Sequence, residues 1–204
     1  MTEKHRLDKP WSEACERNRE PILEVLRGAY ADATTVLEIG AGTGQHAVFF
    51  AQALQHLVWQ PTDRPEHLQG IAAWCDDSGL SNLCTPLALD VDEEVWPVTA
   101  CDAVFSANTL HIMSWASVRN FFRGVGRVLA PGGALAVYGP FFYDDRPNAG
   151  SNVQFDIFLR DRDPQSGIRD FTAVCALAGA QGLTLIADHA MPANNRTLVW
   201  RARA

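Results

Sequence analysis

No stretch of this sequence approaches the roughly 18 consecutive apolar residues that cross a bilayer, so no membrane-spanning helix and no membrane partner are expected. The opening MTEKHRLDK carries no apolar signal region, and a cytoplasmic location is expected. A Cys-x-x-Cys pair is missing, as is any Cys/His pair at metal-ligand spacing, so no metal is expected. The five cysteines, Cys15, Cys75, Cys84, Cys101 and Cys175, are odd in number and far apart, which suits buried thiols in a reducing compartment. An excess of positive charge is also lacking: 17 Lys and Arg stand against 24 Asp and Glu, a net charge of -7 that repels polyanions, and no nucleic-acid partner is expected. Internal repeats, low-complexity tracts and Pro/Ser-rich linkers are absent, so residues 1–204 read as one domain, with 1–18 an N-terminal arm placed to act as a lid.

Short β-branched, apolar runs alternate with helical patterns. Strands are predicted at residues 35–39, 57–60, 85–89, 103–106, 134–138, 183–187 and 197–201. Apolar residues recur at helical spacing between them, as in Ile22, Val25, Leu26 and Ala29, or Val118, Phe121, Phe122 and Val125. Asn18 is placed to cap the first helix with Pro21 in its first turn, and Asp170 to cap the last. Repeated strand-helix-strand order predicts an α/β fold with a mostly parallel sheet covered on both faces. The loop between the last two strands is too short for a parallel crossover, so they should pair antiparallel.

The densest signal is Val36-Leu37-Glu38-Ile39-Gly40-Ala41-Gly42-Thr43-Gly44-Gln45. A strand ends in an acid, turns on alternate glycines and enters a helix, which is a place where backbone approaches a nucleoside-containing ligand. A dinucleotide fingerprint wants Gly or Ala where Gln45 stands, beside the pyrophosphate. The pattern instead resembles motif I of class I S-adenosylmethionine-dependent methyltransferases. That resemblance implies a Rossmann-like sheet of seven strands in the order 3-2-1-4-5-7-6 with strand 7 antiparallel. Pro86 fits an edge position for strand 3.

Ligands of open α/β sheets collect at the carboxyl ends of the strands. Gly40, Gly42 and Gly44 make the turn itself. The resemblance implies that Glu38 meets the ammonium of the cofactor's methionine. Asp63, about twenty residues beyond the glycine turn, is placed to accept bonds from ribose hydroxyls. Asp90 lies beside the adenine in the same resemblance. Strand 4 and its continuation, Cys101-Asp102-Ala103-Val104-Phe105-Ser106-Ala107-Asn108, is similar to motif IV, with Asp102 a cap or turn residue and Asn108 where the reactive methyl should point. Leu129-Ala130-Pro131-Gly132-Gly133 resembles the structural turn before strand 5.

The strings Trp59-Gln60-Pro61-Thr62-Asp63, Asn108-Thr109-Leu110-His111-Ile112, Phe155-Asp156, Arg160-Asp161-Arg162-Asp163-Pro164 and Gly167-Ile168-Arg169-Asp170 narrow the likeness further. With Glu16-Arg17-Asn18-Arg19-Glu20-Pro21, they resemble the methyltransferase-like protein 26 family over almost the whole chain. No acceptor comes with that resemblance. His111 is the best placed general base, with Tyr143 an alternative in the aromatic loop after strand 5. Arg160, Arg162 and Arg169 either pair with neighbouring aspartates or leave one guanidinium to grip an anionic acceptor. Trp115 and Trp11 could line the acceptor pocket, Trp74 flanks the core, and His46 is a surface or packing residue. Arg17 and Asn18 either close the cofactor site or cap the helix.

The expected activity is methyl transfer from S-adenosylmethionine to a small metabolite, anionic if an arginine grips it, with the oligomeric state left open. Two rivals remain: a cofactor-binding scaffold for another protein, which calls for an exposed apolar patch, and an NAD(P)-dependent oxidoreductase, against which Gln45 counts.

Overall fold

The computed structural model describes residues 9–146 and 148–203, so what was expected of residues 1–8 of the arm lies outside the described residues. Its strands are β1 (Thr35–Ile39), β2 (Val58–Asp63), β3 (Leu87–Ala88), β4 (Cys101–Ala107), β5 (Leu129–Gly139), β6 (Phe141–Phe142), β7 (Arg169–Asp170), β8 (Leu183–Ala190) and β9 (Arg196–Ala202). Its α-helices are α1 (Glu13–Ala29), α2 (Gln45–Ala53), α3 (Leu68–Ser78), α4 (Trp115–Val128), α5 (Gly150–Arg162) and α6 (Phe171–Ala180).

Seven strands form one sheet in the order β3-β2-β1-β4-β5-β9-β8. With the separate β6-β7 pair set aside, this is the 3-2-1-4-5-7-6 order of the Rossmann-like class I methyltransferase fold. All pairings are parallel except those of β9, which runs antiparallel to β5 and β8. Leu37, Val104, Leu135 and Val137 face one core with Phe121, Phe122 and Val125 of α4 and Val174 of α6. Val36, Trp59, Phe105 and Ala136 face the other with Ile22 and Leu26 of α1 and Phe50 of α2. Burial on both sides is what makes these strands read as continuous apolar runs rather than alternating ones.

The N-terminus of α1 departs from expectation. The helix begins after Ser12, six residues before Asn18, and Pro21 lies inside it rather than in its first turn. Asn18 is buried and accepts a 2.7 Å bond at Oδ1 from His46 Nε2. The apolar stripe from Ile22 onward marks only the turns that pack on the sheet. Earlier turns meet α2 through polar contacts, which leave no hydrophobic period to read. His46, the partner, is buried and stacked on Phe50 at 5.2 Å. Burial drives its pKa down to about 4, with Arg19 adding to the fall, so the ring is neutral in the fold.

Asp170 caps as expected, whereas Asp102, expected as a cap or turn residue, and the turn at Pro131-Gly132-Gly133 lie inside β4 and β5. Asp170 Oδ1 caps α6 by accepting from Ala173 N at 2.7 Å. Asp102 accepts from both the backbone and hydroxyl of Thr34 and Thr35, which ties the start of β4 to the start of β1. The Pro-Gly-Gly turn is absorbed into β5 as an irregularity: Leu129 pairs with Cys101 and Ala134 with Ala103. The β6-β7 pair was not anticipated, because two residues are too few to show a period.

Asn18→Ala leaves a buried imidazole without its partner. A loss of about 1 to 3 kcal/mol is expected in urea unfolding, with no change in secondary structure by circular dichroism.

Candidate functional site

The glycine turn sits where β1 ends between β2 and β4. Gly40 N and Ala41 N both donate to Thr62 O at 3.0 Å, and Gly42 N donates to Asp63 Oδ2 at 2.7 Å, so the turn is pinned to the end of β2. Gly40 has φ +77, and a Cβ there would lie 2.2 Å from Thr109 Cγ2. No side chain fits. Gly42 has φ +60 and faces open space, with no atom within 4 Å of where its Cβ would stand. The first glycine serves the protein's own packing, while the second leaves room for something that approaches the bare backbone.

Glu38 lies on the α1/α2 side of β1 and is only 1% exposed. Its Oε2 accepts from Trp59 Nε1 at 2.7 Å. Burial pushes its pKa up to about 8, against the pull of the Trp59 bond and with a further push from Asp63. The free protein thus carries a buried carboxyl group that keeps its proton through most of the range below about pH 8. Asp63, at the end of β2, accepts from Gly42 N and from Arg64 N at 2.7 Å each. A carboxylate has about four acceptor positions, so it retains capacity for hydroxyl donors. Asp90 follows β3, accepts from Asp92 N at 3.0 Å and stands 3.8 Å from Arg64 Nε. Acids after β1, β2 and β3 therefore run along one edge of the sheet.

The loop after β4 joins this edge to β5. Ser106 Oγ donates to Ile39 O at 2.8 Å and meets the Thr109 hydroxyl, while Asn108 N donates to Tyr138 O at 2.8 Å. Asn108 holds a left-handed φ of +57, unusual for a residue with a side chain and a mark of local strain. A Cβ on Gly139 would lie 3.7 Å from His111 Nδ1 and 3.8 Å from Asn108 Oδ1. The missing side chain of Gly139 thus borders a carbon-sized niche between a ring nitrogen and an amide oxygen. His111 is 6% exposed and meets the Phe155 ring edge-on at 5.3 Å. Burial first, and then the charge of Arg169, lower its pKa to about 4, so the ring is neutral and able to accept a proton.

The remaining candidates have other engagements. Tyr143 donates its hydroxyl to Asp188 Oδ2 at 2.9 Å and stacks on Phe171 at 4.7 Å. Burial and Asp188 raise its pKa, which makes it a poor base. Arg160 is paired with Asp156 at 2.7 Å within α5. Arg169 is 8% exposed and gives its donors to the carbonyls of Leu110, Met113 and Gln165 rather than to a cleft. Trp115 opens α4 and packs on the core, with the Arg169 guanidinium 5.9 Å from its ring centre. Arg162, in the last turn of α5, has no ion-pair partner among the described residues.

Contacts of the arm were missed by the sequence. Pro10 O accepts from Trp74 Nε1 at 2.7 Å, Ser12 N donates to Gln45 Oε1 at 2.6 Å, and Gln45 Nε2 donates to Glu16 Oε1 at 2.6 Å. Cys15 Sγ lies 4.0 Å from Thr43 Oγ1. Residues 9–16 therefore strap α2 and α3 together beside the glycine turn. Gln45, at the position a dinucleotide fingerprint keeps small, points its amide into this strap. Only the departure of Gln45 from that fingerprint hinted at it.

The model of the family described as Protein of unknown function (DUF938) matches residues 9–202. The chain belongs to DUF938. Among solved structures, this DUF938 protein is similar to an O-methyltransferase family protein from Burkholderia thailandensis, with a TM-score of 0.80 at 17% identity over 91% of the chain and 56% of that structure. It is similar to the mitomycin 7-O-methyltransferase MmcR, with a TM-score of 0.76 at 23% identity over 89% of the chain and 53% of that structure. Human N-acetylserotonin methyltransferase, solved in complex with SAM, gives a TM-score of 0.74 at 15% identity over 91% of the chain and 55% of that structure. The DUF938 chain spans about half the length of these proteins, and the likeness is one of fold.

Glu38 makes a stability prediction that needs no ligand. Folded, it keeps its proton to about pH 8, whereas unfolded it titrates near 4.5. The native state thus binds more protons between these values, and stability falls as pH rises from about 4.5 to about 8. Urea unfolding at pH 5 and pH 8 should show that fall in the wild type, and Glu38→Gln should remove most of it.

Proposed function

We propose that this protein is an S-adenosylmethionine-dependent methyltransferase acting on a hydroxyl group of a small metabolite. The single observation behind the reading is the niche beside Gly139, where His111 and Asn108 converge next to the loop that packs against the glycine turn. Supporting it are the methyltransferase fold, the O-methyltransferases among the solved structures of similar fold, and the narrower likeness to methyltransferase-like protein 26 in the sequence strings.

The residues present fit the cofactor. Bare backbone at Gly42 and a buried carboxyl at Glu38 without a cation are what its polar end calls for, and Asp63 and Asp90 are acceptors for its ribose and adenine. When bound, S-adenosylmethionine supplies an electrophilic methyl group on a sulfonium. His111, neutral at physiological pH, accepts the acceptor's proton as the oxygen is alkylated. Asn108 lines the other side of the niche with its side-chain amide. Alignment supplies much of the rate in such a displacement, so a weak base suffices. Arg169 is spent on backbone carbonyls inside the protein, so an anionic acceptor is left Arg162 and Arg160, whose surface pair with Asp156 keeps it half exposed.

One feature favours the scaffold reading. Helix α5 exposes Ile157 at 48% and Phe158 at 58%, with Ile112 at 49% in the loop after β4. A scaffold would bind cofactor yet release no S-adenosylhomocysteine with any acceptor.

Two measurements test the proposal. Calorimetric affinity for S-adenosylmethionine should rise from pH 6 to pH 8, because Glu38 must lose its proton to face a cation, and Glu38→Gln should bind weakly with a flat profile. Gly139→Ala should keep wild-type cofactor affinity but lose S-adenosylhomocysteine release across a panel of phenols, alcohols and hydroxy acids by at least about tenfold, since a methyl group occupies the niche. Undiminished release by Gly139→Ala, with the wild type active, would remove the niche as the acceptor site.

A further inference from the structure

Four successive backbone carbonyls in the turn that carries His111 are gripped by one short segment. Leu110 O accepts from Arg169 Nε at 3.0 Å, His111 O from Gly167 N at 2.8 Å, Ile112 O from Ser166 Oγ at 3.2 Å, and Met113 O from Arg169 Nη2. One guanidinium spans the two ends of the turn, because its planar fork presents donors in fixed directions. It is a buried cation satisfied by carbonyls and the face of Trp115, an arrangement costly enough to need a return beyond ordinary packing.

The same segment is tied to α5. Ile168 N donates to Asp156 Oδ1 at 2.7 Å, and Asp156 Oδ2 holds Arg160 Nε at 2.7 Å. Gly167 has φ +147, and a Cβ there would stand 2.6 Å from Arg160 Nη2 and 2.9 Å from Asp156 Oδ1, so only glycine lets α5 come this close. Phe155, the neighbour of Asp156, meets the His111 ring directly. Helix α5 is itself anchored at its other end by Asn152 Nδ2, which donates to Asn194 O at 3.1 Å. His111 is therefore held at its ring by one residue of α5 and at its backbone by the next, through the clamp.

We propose that residues 166–169 form a clamp that positions His111 for proton transfer, with Arg169 and Asp156 as its positioning residues and α5 as the element whose docking sets the clamp. The assignment rests on the reading of His111 as the proton acceptor. A proton acceptor must stay within a few tenths of an ångström of its donor, and the loop between β4 and α4 has no ladder of its own to keep it there. The clamp supplies that ladder from outside the sheet. It also accounts for two sequence strings that the glycine turn leaves unexplained, Phe155-Asp156 and Gly167-Ile168-Arg169.

The test is Asp156→Ala in the full chain, read by amide hydrogen exchange and by the imidazole resonances of His111, assigned by their loss in His111→Gln. Exchange at Gly167 and Ile168 should quicken by about tenfold or more, as expected for a lost charge-assisted bond. The His111 titration midpoint should move up from about 4 toward its ordinary 6.5 as the ring gains solvent, although Arg169, the charged group that depresses it, remains. Affinity for S-adenosylmethionine should be unchanged, which separates a local loss of position from general unfolding. A folded variant with wild-type exchange and wild-type His111 titration overturns the clamp. Should Asp156→Ala not fold, Ser166→Ala removes only the donor to Ile112 O, and the same two readouts decide. Failure of the reading of His111 as the proton acceptor is distinguishable: His111→Gln would then leave turnover intact while the exchange and titration changes in Asp156→Ala persist.

Discussion

The methyl group of Thr109 occupies the space that a side chain at Gly40 would need, and the rest of the candidate site depends on that contact. It lets the turn after β1 and the loop after β4 press together at the centre of the sheet. The hydroxyls of Ser106 and Thr109 then close the seam against Ile39 O. Asn108 and His111 both belong to the loop that Gly40 admits, so they stand beside the glycine turn. Parallel strands leave their carboxyl ends on one edge, and this contact brings two of those ends within reach of one small molecule.

Burial acts in opposite directions on the two titratable groups of the site. It drives Glu38 up to about 8, so the free protein keeps a neutral acid there. It drives His111 down to about 4, so the ring stays neutral too. In both cases the charged form is the one penalised by removal from water. Glu38 and His111 are thus both largely neutral near pH 7. The second buried histidine, His46, shows the same depression without any place in the chemistry: its bond to Asn18 joins α2 to α1. A shifted pKa alone therefore does not mark function in this fold; the neighbours of the group do.

Much of the architecture was legible in the sequence because it rests on periods and breakers. Buried strands appear as β-branched runs, helices as apolar stripes, and the turn as glycines at alternate positions. Strand order followed from the methyltransferase resemblance and from the short final loop, which permits only an antiparallel pair. The start of α1 was misplaced by six residues because Asn18 and Glu16 make polar contacts that carry no period. Likewise β6 and β7 are too short to register, although they bring Arg169 beside the His111 turn.

What the amino acids determined by themselves is the local geometry: which segments extend, which coil, and where the chain bends without a side chain. Those properties depend on steric and hydrophobic preferences of near neighbours. The tertiary structure alone decided which polar groups are spent and which remain available. Arg169 and Tyr143 are satisfied by partners remote in sequence, whereas Arg160 pairs with Asp156 one helix turn away, one of the two arrangements open in the sequence. Conversely, Gly139, which the sequence did not single out, borders the niche between Asn108 and His111. Hydrogen-bond partnership and burial are properties of three-dimensional proximity, and no period along the chain encodes them.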